Sequence, residues 1–293
     1  MKAISTGREP VSLSAIEQYE DEKIRLIRDD FAYRLLTPGM KFFVRMCRFP
    51  GFRKWVVSSA EKAMPGAYAG ILCRKCYFDQ KLEENINNIS AVIEIGAGYD
   101  SRSVRYGSKY SLPFLELDFA ETMAKKSTVL KKIAPLYSDK IYNIGIDFNR
   151  EKIDDLQEVQ RLLSGFDKPF FYIMEAVTQY LTEEGIDAVF SYLRKAPGGS
   201  CLALTYIDRD FIDGRDLMSW EAAYNKYVRS GLWKFGLPKA EVNSFLRQYG
   251  WNLIEDVSSE DIVSEDILKK RGLKTSEVER FIYAQKEGSR RLS

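Results

Sequence analysis

The sequence predicts an α/β fold: an open, mostly parallel sheet with helices on both faces. Three observations predict it. The first is the stretch Ala91-Val92-Ile93-Glu94-Ile95-Gly96-Ala97-Gly98-Tyr99-Asp100-Ser101. An apolar, β-branched run is followed by two glycines and two helix-capping residue types, which reads as strand, turn and helix start. The second is the alternation of short apolar runs with helical patterns across 91–206, the rhythm of βαβ units. The third is a series of acids at successive strand ends, where the ligand of such a sheet lies.

Each element follows in order. Residues 1–90 precede the first strand and form a helical N-terminal cover. Within it, 14–36 has apolar residues at roughly helical spacing, and 70–86 reads as a helix carrying Arg74. Between them, 41–60 interleaves Phe42, Phe43, Phe49, Phe52 and Trp55 with Lys41, Arg45, Arg48, Arg53 and Lys54. That mixture suits a basic amphipathic surface for a membrane or nucleic acid. The plainer expectation is a helix whose aromatic face packs on the fold, and Pro50-Gly51 interrupts the run.

The cofactor-binding core is expected over 91–206, with strands at 91–95, 114–118, 141–146, 170–174 and 200–206. Helices fall between them: a short one after Asp100, then 120–132, 154–164 and 182–196, the last stopped by Pro197-Gly198-Gly199. Residues 207–238 are rich in aromatic side chains, show no strand pattern, and read as a helical lid insertion over the substrate. Residues 239–293 complete a single domain with a helix at 239–249, a strand at 251–257, more helix, a last strand at 280–285 and a polar tail.

Composition limits the chemistry. The 293 residues are 45% hydrophobic and 29% charged, with a formal charge of +2. That is an ordinary globular balance, with no field that calls for a nucleic-acid partner. No apolar run is long enough for a transmembrane span, and the first ten residues lack a signal-peptide core, so a cytoplasmic protein is expected. Cys73-Arg74-Lys75-Cys76 has redox or metal spacing. A zinc site needs further ligands, and the chain contains no histidine, so no metal is expected and the thiols read as buried bystanders. The lack of histidine also excludes the usual Ser-His-Asp and Cys-His nucleophiles.

The glycine turn differs from a dinucleotide fingerprint. The third glycine position is held by Ser101, and Glu94 lies just before Gly96. Acid-x-Gly-x-Gly fits S-adenosylmethionine, which has no pyrophosphate to seat on the helix start. Asp118 ends the second strand about 20 residues past the glycines, placed to accept ribose hydroxyls. Asp147 can accept from an adenine amino group while Phe148 covers the ring. Glu175 follows an apolar run and needs a cation or a donor to be buried there.

These residues carry a resemblance. Glu94 to Arg102, with Leu115-Glu116-Leu117-Asp118-Phe119, resembles the leucine carboxyl methyltransferase family, which includes protein phosphatase methyltransferases and bacterial polyketide O-methyltransferase-like proteins. Gly96 to Arg102 matches the family's Gly-x-Gly-x-Asp-[Thr/Ser]-Arg position by position. Arg74 to Asp79 resembles its Arg-x-x-x-x-Asp helix, and Asp147-Phe148 its Asp-Leu pair. Glu175 to Leu181 resembles its Glu-Gly-x-x-x-Tyr-Leu, with Ala176 in place of the glycine, and Phe281-Ile282-Tyr283-Ala284 its last strand.

The resemblance implies a class I methyltransferase Rossmann-like sheet of seven strands with an antiparallel last strand. It implies S-adenosyl-L-methionine as cofactor and S-adenosyl-L-homocysteine as product. Arg74 would clamp the methionine carboxylate; Glu94, Gly96, Ala97, Gly98 and Asp100 would line the cofactor. Asp118 would hold the ribose, Asp147 and Phe148 the adenine side, Glu175 the amino or sulfonium region, and Arg102 would brace the turn. A carboxylate acceptor needs no base. A hydroxyl would prefer one, for which Tyr180, Tyr206 or Glu175 is the candidate. The reading is an O-methyltransferase acting on a carboxylate or hydroxyl of a small molecule. Its alternatives are a protein C-terminal carboxylate as acceptor, a nicotinamide-dependent oxidoreductase, and a non-catalytic cofactor-binding relative.

Overall fold

The computed structural model describes residues 8–166 and 169–287. The segment 1–7 and the polar tail from Gly288 onward lie outside the described residues. The N-terminal cover comprises α1 (Glu9–Glu17), α2 (Ala32–Leu35), α3 (Pro38–Met46), α4 (Pro50–Ala63) and α5 (Ala67–Asn85). The core follows as β1 (Ala91–Ile95), α6 (Arg102–Tyr110), β2 (Phe114–Asp118), α7 (Ala120–Ile133), β3 (Ile141–Gly145), α8 (Gln157–Ser164), β4 (Phe170–Met174), α9 (Glu183–Arg194) and β5 (Cys201–Ile207). Short helices α10 (Arg209–Ile212) and α11 (Glu221–Ala223) come next, then α12 (Val242–Gln248), β6 (Trp251–Val257), α13 (Ser259–Ile262), α14 (Glu265–Arg271) and β7 (Glu279–Lys286).

The strands form one seven-stranded sheet in the order β3-β2-β1-β4-β5-β7-β6. The pairs β1–β2, β1–β4, β2–β3 and β4–β5 are parallel, and β7 runs antiparallel between β5 and β6. This is the sheet the resemblance implied, with the last strand as its one reversed member. The parallel strands β1, β4 and β5 are buried along their whole length, as apolar strands covered on both faces should be. One core layer packs Ile93, Leu117, Tyr172, Phe190 and Trp251; the other packs Phe78, Val92, Phe114, Phe171 and Phe281. The strand order reverses between β1 and β4, so the ligand crevice of such a sheet opens at their carboxyl ends.

Two expectations for the cover need correction. The segment 14–36 is not one helix: α1 ends at Glu17 and α2 spans four residues. Carboxylates satisfy the intervening backbone. Glu17 accepts from the Leu26 amide at 2.8 Å, and Asp29 from the amides of Phe31 and Ala32. The basic aromatic stretch is two helices, α3 and α4. Pro50 starts the second at a position where its missing N–H costs nothing. Nor does most of its aromatic face pack on the fold: Phe52 packs against the core, but Phe42, Phe43, Phe49 and Trp55 are exposed. No described helix is long and apolar enough to cross a membrane.

Candidate active site

The carboxyl ends of β1, β2, β3 and β4 open into a cavity of about 680 Å³. Its sheet side brings together the acids, glycines and Arg74 singled out in the sequence. Glu94, Gly96, Ala97, Gly98, Asp100, Asp118, Asp147, Phe148 and Glu175 all line it. Sequence spacing alone separated these positions by up to a hundred residues; the parallel order of the strands brings them to one edge.

The turn after β1 is built by the protein's own packing. Gly96 has φ +78°, and a Cβ there would meet Val177 Cγ2 at 2.2 Å, so Val177 and not a ligand dictates this glycine. Gly98 also has positive φ, and its amide donates to Asp118 Oδ2 at 2.7 Å. Asp118 Oδ1 accepts from the Phe119 amide at 2.7 Å. Asp118 therefore joins the β1 turn to the end of β2 while facing the cavity. Burial raises its pKa, opposed by these two amides and by Lys126. The neighbouring Glu116 is turned away, sealed by Lys126 at 2.8 Å and by Asn143.

The start of α6 is capped by Asp100 rather than Ser101. Asp100 Oδ1 accepts from the Arg102 amide at 2.7 Å, whereas the Ser101 side chain makes no cap bond and donates to Asp29 at 2.6 Å. The Arg102 amide at the helix start, where a dinucleotide would need to seat its pyrophosphate, is thus already taken by a protein carboxylate. An amide already taken at the helix start argues against the nicotinamide alternative on grounds the glycine count could not supply.

Behind the turn lies a buried ionic network. Arg102 is fully buried and donates to Asp79 at 2.7 Å, Asp100 at 2.9 Å and Glu175 at 2.6 Å. It braces the turn, as the resemblance implied. Glu175 also accepts from Arg74 Nε at 3.0 Å and lies 3.4 Å from Lys75 Nζ. Burial alone would raise its pKa, but Lys75, Arg102 and Arg74 pull it down to about 2. Glu175 is therefore an ionised anchor and not a base. Lys75 bonds Asp100 at 2.8 Å. Arg74 Nη1 donates to both oxygens of Glu279, at the start of β7. Lys75 and Glu279 escaped the sequence reading. Lys75 lay inside the noticed Cys-x-x-Cys, and Glu279 lay one residue before the expected strand.

Glu94 is the exception in this network. It is buried at the cavity, and among the described residues neither of its carboxylate oxygens has a hydrogen-bond partner. Burial, then Asp100, raise its pKa well above 4.5. A buried acid without a protein partner beside a glycine turn makes Glu94 a candidate to bond a polar ligand atom.

The opposite wall is apolar and aromatic. Tyr227 and Trp233 stack with centroids 4.9 Å apart, and Tyr180 meets Trp233 edge-on. Tyr227 sits in a π-helical turn, Tyr224–Val228, a local device that recurs at functional sites. Trp220 donates to the Pro65 carbonyl at 2.7 Å, tying the 207–238 segment to the turn before α5. Of the two tyrosines considered as bases, Tyr180 lines the cavity, and burial raises its hydroxyl. Tyr206 lies away from it: its ring is buried in the core and its hydroxyl donates to Asp256 at 3.0 Å. Asp147 is half-buried at the rim, where it accepts from the Asn149 amide at 3.1 Å. Cys73 and Cys76 lie on α5, and burial pushes Cys73 up to about 12, so it carries no thiolate at neutral pH. Among the described residues no cluster of histidine, cysteine or acidic side chains is arranged to hold a metal.

With the site's geometry in hand, the chain can be compared with known proteins. The family model for leucine carboxyl methyltransferase matches residues 10–194, more than half of the chain. The chain belongs to the leucine carboxyl methyltransferase family. The matched span runs from α1 through α9 and so takes in every cofactor-side residue except Glu279. Two curated relatives, each named "Putative S-adenosyl-L-methionine-dependent methyltransferase", come from Mycolicibacterium paratuberculosis and Mycobacterium avium. They are 27% and 26% identical over 197 and 196 residues, and the match spans 61% of this chain and 61% of each relative's length. Among solved structures, a "putative methyltransferase" from Thermobifida fusca aligns with a TM-score of 0.59 and 14% identity, over 97% of both chains. A DUF574-family protein from Streptomyces avermitilis aligns with a TM-score of 0.56 and 13% identity, over 94% of this chain and 97% of that one. At such identities these two establish a shared fold. The family is one of methyltransferases, and both curated relatives are named for dependence on S-adenosylmethionine.

Proposed function

We propose that this chain is an S-adenosylmethionine-dependent O-methyltransferase whose acceptor is a carboxylate on a small apolar or aromatic molecule. The observation that carries the cofactor half is the orphaned carboxylate of Glu94 beside the Gly96–Gly98 turn, on the same cavity wall as Asp118 and Arg74. Glu94, Gly96, Gly98, Asp118, Asp147, Phe148, Arg74 and Glu175 would hold the cofactor, which supplies an activated methyl group with a neutral sulfide as leaving group.

The rest of the work falls to the chain. The enzyme has to align acceptor and methyl donor in line and keep water out. The wall of Trp220, Tyr227, Trp233, Tyr180, Met64 and Ile71 suits an apolar acceptor body and excludes water. What favours a carboxylate over a hydroxyl is that none of the candidate bases Glu175, Tyr180 and Tyr206 is suited to take the proton. There is no histidine, Glu175 is held ionised near pKa 2, and burial raises Tyr180. A carboxylate is already the nucleophile at neutral pH. A protein carboxyl terminus would have to reach the cavity past α1 and the 207–238 segment, which both line it. A cytoplasmic location, with its supply of cofactor, goes with this reading.

Calorimetric titration with S-adenosylhomocysteine tests the cofactor half, on wild type and Asp118→Ala. The expected result is binding that weakens by about 1–3 kcal/mol in the variant, the cost of losing hydrogen bonds to a charged group. No heat with folded wild type sinks the cofactor assignment. Methyl transfer to a panel of aromatic acids, against matched phenols and alcohols, tests the acceptor; transfer confined to hydroxyls overturns the carboxylate.

A further inference from the structure

The α3–α4 corner has a surface that methyl transfer leaves unexplained. Phe42 is 70% exposed, Trp55 62%, Phe49 48% and Phe43 42%. The aromatic side chains run together: Phe43 meets Phe52 at 5.8 Å between centroids, and Phe52 meets Trp55 at 5.6 Å. Val44, Cys47 and Val57 fasten the opposite sides of the two helices to the fold. The outward face is therefore held firmly while remaining apolar, which a soluble monomer ordinarily avoids.

Its charge is one-sided. From 31 to 60 the chain has no Asp or Glu, and it carries Arg34, Lys41, Arg45, Arg48, Arg53 and Lys54. Arg53 is taken up by Glu20 at 2.7 Å. Arg45, Arg48 and Lys54 are exposed, and among the described residues none has a carboxylate within ion-pair distance. The whole chain has a formal charge of only +2, so this concentration is local.

We infer that the α3–α4 corner is a docking surface for an anionic lipid bilayer. Exposed aromatic side chains mixed with unpaired arginine and lysine match both halves of such an interface. The rings enter the headgroup boundary, and the cations meet lipid phosphates. Nucleic acid fits less well. The rings of Phe43, Phe52 and Trp55 pack against each other at 71° and 32° as one hydrocarbon patch, not as separate platforms on which bases could stack. The same helix that carries Trp55 ends at Ala60, Ala63 and Met64 in the cavity wall, so the surface and the cavity share α4. The inference stands independently of the methyl-transfer reading.

Trp55 supplies the probe. Of the four tryptophans, Trp220, Trp233 and Trp251 are buried, so a change in emission on docking reports Trp55. The experiment mixes full-length protein with vesicles of phosphatidylcholine alone, or of phosphatidylcholine with phosphatidylglycerol, and follows emission and co-sedimentation. The expected result is a blue shift and sedimentation with the anionic vesicles only, reversed by added salt. Arg48→Glu with Lys54→Glu should weaken binding at least about tenfold, and Phe42→Ser should weaken it too. Melting temperature and S-adenosylhomocysteine binding should stay unchanged, since these residues do not line the cavity. Failure to sediment with anionic vesicles at low salt overturns the inference. So does a blue shift produced by raised protein concentration alone, which would make the patch a contact between copies, or one produced by single-stranded nucleic acid and not by lipid.

Discussion

Arg74 and Glu279 lie 205 residues apart and meet at the cavity wall, where Arg74 Nη1 donates to both Glu279 oxygens at 2.7 Å. Burial opposes the charge on Arg74, but Glu279 and then Glu175 hold its pKa raised. The guanidinium expected to clamp a ligand carboxylate is thus already carrying a protein carboxylate. If a methionine carboxylate engages Arg74, it competes with Glu279. Glu279→Gln should therefore tighten S-adenosylhomocysteine binding by roughly fivefold to tenfold, about 1–1.4 kcal/mol. An unchanged dissociation constant, measured calorimetrically at the same pH, would show that ligand and Glu279 do not share Arg74.

Ala176 has φ +56°, in the left-handed region that costs a residue with a Cβ about 1–2 kcal/mol. Its amide donates to Thr205 Oγ1 at 2.9 Å, which pins that conformation. The resembled motif has glycine at this position, and the backbone explains why. Ala176→Gly is expected to raise stability by about 1 kcal/mol, allowing for the extra chain entropy of glycine. Ala176→Val should lower it, because a β-branched side chain tolerates this region worst. Urea denaturation of the three proteins decides; a destabilised glycine variant would mean the alanine methyl contributes more by packing than the conformation costs.

The sheet was legible because its signals are local. Each strand of the parallel core is a short apolar run, and the strand limits expected from the sequence agree with the structure to within a residue, as at β3, which ends at Gly145 rather than Ile146. Glu94, Asp118 and Glu175 were legible because strand ends are where such sheets bind ligands. The network was not. No pattern in the sequence pairs Arg102 with Asp79 or Arg74 with Glu279, since these bonds join elements through tertiary packing. The cover was misread for a related reason. Helical spacing over 14–36 is real, but Glu17 and Asp29 spend their carboxylates on loop amides, which outweighs a weak periodic preference.

Arg102 should be the side chain the fold can least lose. Truncation to Ala leaves Asp79, Asp100 and Glu175 with a missing partner inside the protein, a loss of about 3–5 kcal/mol for a buried pair. Lysine cannot reproduce three directed bonds from one planar group, so Arg102→Lys should recover only part of it. The network also sets an acid limit. Glu175 has its pKa lowered from 4.5 to about 2 by Lys75, Arg102 and Arg74 against the effect of burial. Its contribution is fully present above 4.5 and is lost as pH falls towards 2. Wild-type stability, followed by denaturation across this range, should fall through that window, and Arg102→Ala should show a shallower fall. Equal slopes would remove Arg102 from the account of Glu175.

Glu94 has the opposite sign. Burial, then Asp100, raise its pKa well above 4.5, with Lys126 opposing. Below the unfolded value both states hold the proton, and the group contributes nothing to the pH dependence. Above it the unfolded chain ionises while the folded chain resists, so the native state loses stability as pH rises through this range. The isosteric Glu94→Gln cannot ionise in either state. Its melting temperature should equal that of wild type below pH 4.5 and exceed it increasingly as pH rises above that value. The variant should also bind S-adenosylhomocysteine differently, since the carboxylate oxygens, unpartnered in the protein, face the cavity. A melting difference that stays constant with pH would mean Glu94 is ionised in the folded protein. The acid beside the glycine turn would then have a partner of its own, and the case that it awaits a ligand would lose its footing.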